Sequence, residues 1–328
     1  MSLRKIPISK SYRIKVGITL GDPSGIGPGI TVKAVNKLSG IADFVVIGDS
    51  SLLKKTPGFS NLIRDKVKIV DLHNLDIKRF KAGKIKAEYG RASIEYLDKA
   101  LELLKEKAID CLVTCPISKE SINLAGFNYE GHTEYFIRKM KAEQAVMMLL
   151  NKYLRISLVT RHLSLKSVPE DLKINGIYET TFTTYKSLKD IFGITHPKII
   201  LCGLNPHASD NGLFGDEEER VIKPAAKKLK SKFPGVYGPL PSDIAIYKAF
   251  KGEYDAVIAM YHDQAMIPLK ITGMDSGVNI TLGLNFIRTS PLHGTAFDLA
   301  AKGELASPNS LIAAIKLALK CASIQKRD

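Results

Sequence analysis

Apolar positions along the chain alternate between two rhythms. Short, nearly unbroken runs rich in Val, Ile and Leu read as strands: RIKVGITLG (13–21), FVVIG (44–48), VKIVDL (67–72), IDCLVTCP (109–116), AVMMLL (145–150), RISLVT (155–160), PKIILCG (197–203), DAVIAMY (255–261) and VNITLG (278–283). Several lack any polar alternation, as expected of strands covered on both faces of a mostly parallel sheet. Longer amphipathic stretches between them read as helices over 25–38, 89–107, 132–141, 169–191, 217–231, 243–250 and 308–321. This alternation predicts an α/β fold with helices on both faces of mixed, mostly parallel sheets. The length of 328 residues suggests about two domains. No Pro/Gly/Ser-rich linker and no internal repeat separates them, so the domains should be intimate and interleaved in sequence. The first ten residues read as a loose tail.

Charge is the one unusual feature of the composition. Lys and Arg number 48 against 33 Asp and Glu, a formal net charge of +15. That raises the question of nucleic acid, but only 11 of the 48 are Arg, the residue favoured for base edges and stacking. The Lys residues are scattered, and the densest run, KPAAKKLKSK (223–232), reads as a solvated helix face. There is no zinc-finger spacing, no leucine zipper and no RNA-binding aromatic motif. What survives is a preference for small anionic partners rather than nucleic acid. The four cysteines, Cys111, Cys115, Cys202 and Cys321, have neither disulfide-framework nor zinc spacing. The basic start lacks the apolar core of a secretion signal, and no stretch approaches the ~18 apolar residues of a membrane span. A reducing cytoplasm fits these features.

Five strings carry candidate chemistry. GDPSGIGPG (21–29) follows the first strand and opens a helix, allowing close backbone approach to a ligand. It matches neither the Walker nor the Rossmann spacing, and a plain tight turn is an equal reading. Three of seven histidines, His162, His207 and His262, sit just past predicted strands. Open parallel sheets bind ligands beyond those ends, and three imidazoles with an open position make a catalytic site for zinc or a similar divalent metal. Isolated loop histidines are the plainer alternative. GHTEYF (131–136) places His132 and Thr133 at a helix start, where anions bind or a cap forms. Lys270, Asn279 and Arg288 punctuate apolar sequence, and a lone Arg in such a place grips a carboxylate or phosphate, or forms a structural ion pair. In HGTAFDLAAKG (293–303), His293 suits stacking on a base, Gly294 and Thr295 allow close backbone approach, and Asp298 suits a sugar hydroxyl. A helix cap at Thr295 is the alternative.

Taken in order, GDPSGIGP, TCPISKESINLAGFNYEGHTE, LVTRHLSL, LNPHASDNGLFGDEE, GPLPSD, AMYHDQ and GVNITLGLNFIRTSPLHGTAFDLA resemble the 4-hydroxythreonine-4-phosphate dehydrogenase family of pyridoxal phosphate (vitamin B6) biosynthesis, over about residues 13–320. GDPSGIGPG and HGTAFDLAAKG also look like the wider isocitrate and isopropylmalate dehydrogenase fold family. The resemblance implies two α/β domains flanking a cleft, one from 1–130 plus 270–328 and the other from 131–269, in a homodimer with active sites shared between subunits. It implies one divalent metal (zinc, magnesium or cobalt) on His162, His207 and His262, and substrate binding by His132, Thr133, Lys270, Asn279 and Arg288. NAD or NADP would lie against His293, Gly294, Thr295 and Asp298, with Asp243 brought in by the second subunit as the candidate base. The implied reaction oxidises 4-phosphohydroxy-L-threonine to a β-keto acid that decarboxylates. Two related readings stay open: a dehydrogenase of 4-phosphothreonate or 4-phosphoerythronate, and a phosphate acyltransferase of the same fold. Gly29, Leu213 and Asp275 depart from the family pattern, the last in a loop where a basic residue is common.

Overall fold

The strand-forming runs pair side by side into a single sheet of eleven strands. The structure is a computed structural model that describes residues 13–62, 67–141, 144–304 and 306–326; the expected N-terminal tail lies outside them. The strands are β1 (Lys15–Thr19), β2 (Asp43–Gly48), β3 (Val67–Asp71), β4 (Cys111–Thr114), β5 (Val146–Leu150), β6 (Arg155–Leu158), β7 (Ile199–Cys202), β8 (Val236–Leu240), β9 (Ala256–Ala259), β10 (Val278–Leu282) and β11 (Ile287–Pro291). Their order across the sheet is β3-β2-β1-β4-β11-β10-β5-β6-β9-β7-β8. Strands from both ends of the chain thus fill one run of the sheet, and strands from its middle fill the other. Pairing is parallel within β3-β2-β1-β4-β11 and within β6-β9-β7-β8, and antiparallel at β11-β10, β10-β5 and β5-β6.

Helices cover both faces. They are α1 (Gly27–Lys37), α2 (Ser50–Lys55), α3 (Ala87–Lys105), α4 (Lys119–Leu124), α5 (His132–Met140), α6 (Val168–Asp171), α7 (Ile174–Asp190), α8 (Lys223–Lys230), α9 (Ser242–Phe250), α10 (His262–Gly273), α11 (Phe297–Ala301) and α12 (Asn309–Gln325). Successive strand residues point to opposite faces. In β6 and β9, Ile156, Leu158, Val257 and Ala259 pack with Ala245 and Ala249 of α9 and Ala265 and Leu269 of α10. The intervening Ser157 instead accepts a hydrogen bond from Thr184 of α7 on the other face. In β11 the hydroxyl of Thr289 donates to the Ala314 carbonyl of α12, which leaves Arg288 on the opposite face.

Four places differ from the sequence expectation. VYGPL forms β8 although Gly and Pro punctuate it; it occupies the sheet edge, where a proline is tolerated. IRTSP forms β11 in the middle of the sheet, so Arg288 lies inside a central strand instead of at a strand end. HDQAMIPLKITG forms α10 despite Pro268, and the expected helix over 169–191 divides into α6 and α7.

The GDPSGIGPG turn explains its glycines sterically. Gly21 has φ 70°, and a Cβ there would lie 2.2 Å from the Pro116 carbonyl oxygen. A Cβ on Gly27 would lie 2.0 Å from the Leu20 carbonyl oxygen. The closed turn donates from Asp22 N to Pro116 O at 2.8 Å and from Ile26 N to Thr295 O at 3.0 Å, joining it to the HGTAF loop. Gly27→Ala should therefore lower unfolding free energy by about 1–3 kcal/mol, the usual range for overpacking; an unchanged urea midpoint would refute this account of the turn.

Candidate active site

A polar pocket opens on the face of the sheet that Arg288 occupies. Its walls come from the β4–α4 loop (Pro116, Ile117), the start of α5 (Gly131, His132, Thr133), the loop after β6 (Arg161, His162), and β10 and β11 with the loop that follows (Asn279, Arg288, Ser290, His293, Gly294). Glu130 and Glu134 also line it. Antiparallel pairing of β10 with β11 sets Asn279 opposite Ser290, so both side chains face the same cavity.

Arg288 is 1% exposed, the largest fully buried side chain among the described residues. Its Nε and Nη2 donate to Thr114 Oγ1 at 3.2 and 2.6 Å, and its Nη1 donates to Thr281 Oγ1 at 3.1 Å. The guanidinium carbon stands 5.7 Å from the centre of the Phe136 ring. Among the described residues no carboxylate pairs with it, and burial alone lowers its pKa to about 9. A buried cation held only by hydroxyls and a ring is a costly arrangement, normally offset by an anion.

Three other polar atoms of the pocket are buried with no hydrogen-bond partner among the described residues: His132 Nε2, Asn279 Oδ1 and His293 Nε2. His293 Nδ1 lies 3.1 Å from the Gly294 carbonyl oxygen. That oxygen can only accept, so Nδ1 carries a proton and donates to it, and Nε2 is the ring atom left facing the pocket. Burial, followed by the nearby Arg288 charge, holds the His132 pKa well below its ordinary 6.5, although a backbone hydrogen bond to Cys115 pulls the other way. The pocket thus combines one buried cation with two imidazoles and an amide, a set able to bind an anion and, at His132, to accept a proton from a hydroxyl.

Of the remaining expected residues only His162 lines the pocket. His162 and His262 follow β6 and β9, which are adjacent and parallel, and their ring centres are 5.5 Å apart. Partial burial first, then His262 and Arg161, hold His162 below its ordinary pKa. His262 Nδ1 also pairs with Asp263 at 2.8 Å. His207 does not join them: its ring lies 6.1 Å from Phe214 on a turn of its own. Residues 207–211 all have positive φ, an uncommon left-handed run costing roughly 1–2 kcal/mol per residue. Fully buried Glu218 anchors this turn by accepting from Leu204 N, Asn205 N and Asn205 Nδ2. Among the described residues no three His, Cys, Asp or Glu come close enough to hold a metal. Lys270 on α10 and Asp243 on α9 are exposed and do not line the pocket. Thr295 and Asp298 lie past it, on the loop into α11 and in its first turn. Sequence reasoning passed over Thr114, Thr281, Ser290 and Glu130. The first three are small hydroxyl residues inside apolar runs, and only their shared sheet face singles them out.

The buried neutral His132 has a measurable consequence. Below about pH 6.5 the unfolded chain takes up a proton there that the folded chain refuses, so stability present at neutral pH is lost as the pH falls. The slope is up to about 1.4 kcal/mol per pH unit. His132→Gln should flatten the loss of unfolding free energy between about pH 7 and pH 5; parallel stability–pH curves for the two proteins would contradict the buried neutral state.

Comparison with known proteins places this geometry. The family model described as "Pyridoxal phosphate biosynthetic protein PdxA" matches residues 40–318. A 4-hydroxythreonine-4-phosphate dehydrogenase of Sulfurihydrogenibium sp. is 39% identical over 95% of this chain and 100% of its own. A D-threonate 4-phosphate dehydrogenase of Salmonella typhimurium is also 39% identical, over 94% of this chain and 98% of its own. The solved structure of a putative 4-hydroxythreonine-4-phosphate dehydrogenase from S. typhimurium matches with a TM-score of 0.84 at 37% identity, covering 94% of this chain and all of that one. The motifs, the sheet and near full-length similarity agree: the chain belongs to the PdxA family of pyridoxal phosphate biosynthetic proteins.

Proposed function

We propose that the chain oxidises 4-phosphohydroxy-L-threonine with NAD or NADP, giving a β-keto acid that loses carbon dioxide to form 3-amino-2-oxopropyl phosphate. The observation that carries this reading is buried Arg288, with no paired carboxylate among the described residues, in a pocket where His132 Nε2, Asn279 Oδ1 and His293 Nε2 also lack a partner among them. Arg288 takes the phosphate or carboxylate in a fork of N–H donors. Thr133 at the α5 start and Asn279 orient the substrate. The His132 ring, held neutral by its lowered pKa, accepts a proton from the substrate's hydroxyl side, and His293 Nε2 faces the same space. Glu130 at the rim supplies a carboxylate for an ammonium, which favours the amino acid over 4-phosphothreonate. The HGTAF loop, from His293 through Asp298, orients the nicotinamide cofactor.

A divalent metal fits the donor set in part. His162 and His262 supply adjoining imidazoles, the donor type that zinc and cobalt accept. When bound, the ion polarises the substrate hydroxyl and the ketone that replaces it. We assign the third ligand, His207, to a second copy of the chain, together with Lys270 and Asp243, in a homodimer with shared sites. Support comes from the exposed apolar surface at and after α10, where Ile267, Ile271 and Met274 are 59%, 80% and 65% exposed. The sheet order supports a division into two domains near β10 and β5, one from 1–130 plus 270–328 and the other from 131–269. Four free, buried cysteines suit a reducing cytoplasm.

Initial rates with 4-phosphohydroxy-L-threonine and with D-threonate 4-phosphate test the substrate. The first should be preferred in kcat/KM, and a preference of more than about tenfold for the second, equivalent to about 1.4 kcal/mol, would transfer the assignment to the sugar acid. Mixed dimers of His162→Ala and Asp243→Ala subunits test sharing, because one of the two sites then keeps both its own His162 and the partner copy's Asp243. Activity should reappear on mixing two inactive parents, and silence in a verified heterodimer would place each site within one chain.

A further inference from the structure

The way Arg288 is held suggests a role for the residues that hold it. It lies on β11 between β4 and β10, and both neighbours present a threonine to it. Thr114 is two residues past Leu112, the register partner of Arg288. Thr281 is one residue past the Ile280–Thr289 pair, directly beside Arg288. Both are buried, at 0% and 3% exposure. A guanidinium offers five N–H donors and no acceptor, so both hydroxyls must accept from it. Their three hydrogen bonds fix the plane of the fork while Phe136 covers its face. Two N–H donors of Arg288 remain, and the hydroxyl proton of each threonine has no acceptor among the described residues. Thr19, in register with Thr114 on β1, adds a fully buried Oγ1 without a partner. This stretch of the sheet therefore holds several donors with no acceptor engaged among the described residues.

We propose that Thr114 and Thr281 are positioning residues for anion recognition: they aim the free N–H pair of Arg288 at the oxyanion of the substrate. Replacing either leaves the charge buried but lets the guanidinium rotate, so affinity for the anionic group falls while the cofactor end is untouched. The inference rests on the reading that Arg288 holds an anionic group of the substrate.

The test uses the full-length protein and inorganic phosphate as the probe. Calorimetry would compare wild type with Thr114→Val, Thr114→Ser and Thr281→Val, followed by KM and kcat for the phosphorylated substrate. Valine keeps the shape and removes both hydrogen bonds at Thr114, so phosphate affinity should fall by about tenfold or more, with KM for the substrate rising in step and KM for NAD unchanged. Serine restores the acceptor and should bind within about threefold of wild type. Thr281→Val, which removes one bond, should show a smaller loss of the same kind and gives the answer if Thr114→Val fails to fold. Wild-type phosphate affinity in a folded valine variant would overturn the proposal, as would equal losses in Thr114→Ser and Thr114→Val. If the wild type binds phosphate in this threonine-dependent way but turns over neither phosphorylated acid, the positioning role stands and the assigned reaction falls.

Discussion

Everything in the pocket is organised around one electrostatic constraint, a guanidinium placed inside a sheet. Removing an arginine from water costs several kcal/mol unless its charge is answered. Among the described residues the charge of Arg288 is answered only by two hydroxyls and the face of Phe136. Those groups satisfy part of the hydrogen-bonding demand and offset little of the charge. The site is held in a state that a bound anion relaxes, which makes the affinity for that anion a property of the sheet itself. A carboxylate in the same place would stabilise the empty protein and compete with the ligand.

That constraint also explains why the pocket lies over the middle of the sheet. The antiparallel junction of β11, β10 and β5 separates two parallel runs, and neighbouring side chains there share one face at close spacing. Asn279, Ser290 and Arg288 come together from two strands because of this register. The histidines that follow β6, β7 and β9 belong to the other run and to a different kind of placement, beyond strand ends. The positive-φ turn carrying His207, anchored on buried Glu218, keeps its imidazole outside the pocket within one chain.

How much of this could be read from the sequence depends on which kind of order a residue obeys. Unbroken β-branched runs such as FVVIG and DAVIAMY report their own burial, so the α/β class and the positions of nine strands were legible. VYGPL and IRTSP were not, because Gly, Pro, Arg and Ser mask a strand whose membership is decided by its neighbours in space. His132, Asn279 and Arg288 stood out as polar residues in apolar surroundings, and they do line one pocket. Thr114 and Thr281 looked like ordinary β-formers, since threonine is at home in strands. Their relation to Arg288 spans 174 and 7 residues, and no local pattern encodes the longer of the two.

The order of strands has a consequence for how the molecule is made. Between β4 and β5, the two earlier-synthesised parts of the sheet have no direct pairing; the β10–β11 pair fills the gap. A nascent chain can assemble β1–β4 and β5–β9 as separate layers, each with an open edge, but must wait for residues 278–291 to join them. The β4 edge stays open from residue 114 and the β5 edge from residue 150 until 278–291 are made, and the residues that close them also bring Arg288 and Asn279. Closure of the sheet and creation of the pocket are thus a single late event, and a chain arrested before it would present sticky strand edges to chaperones instead of a weakened enzyme.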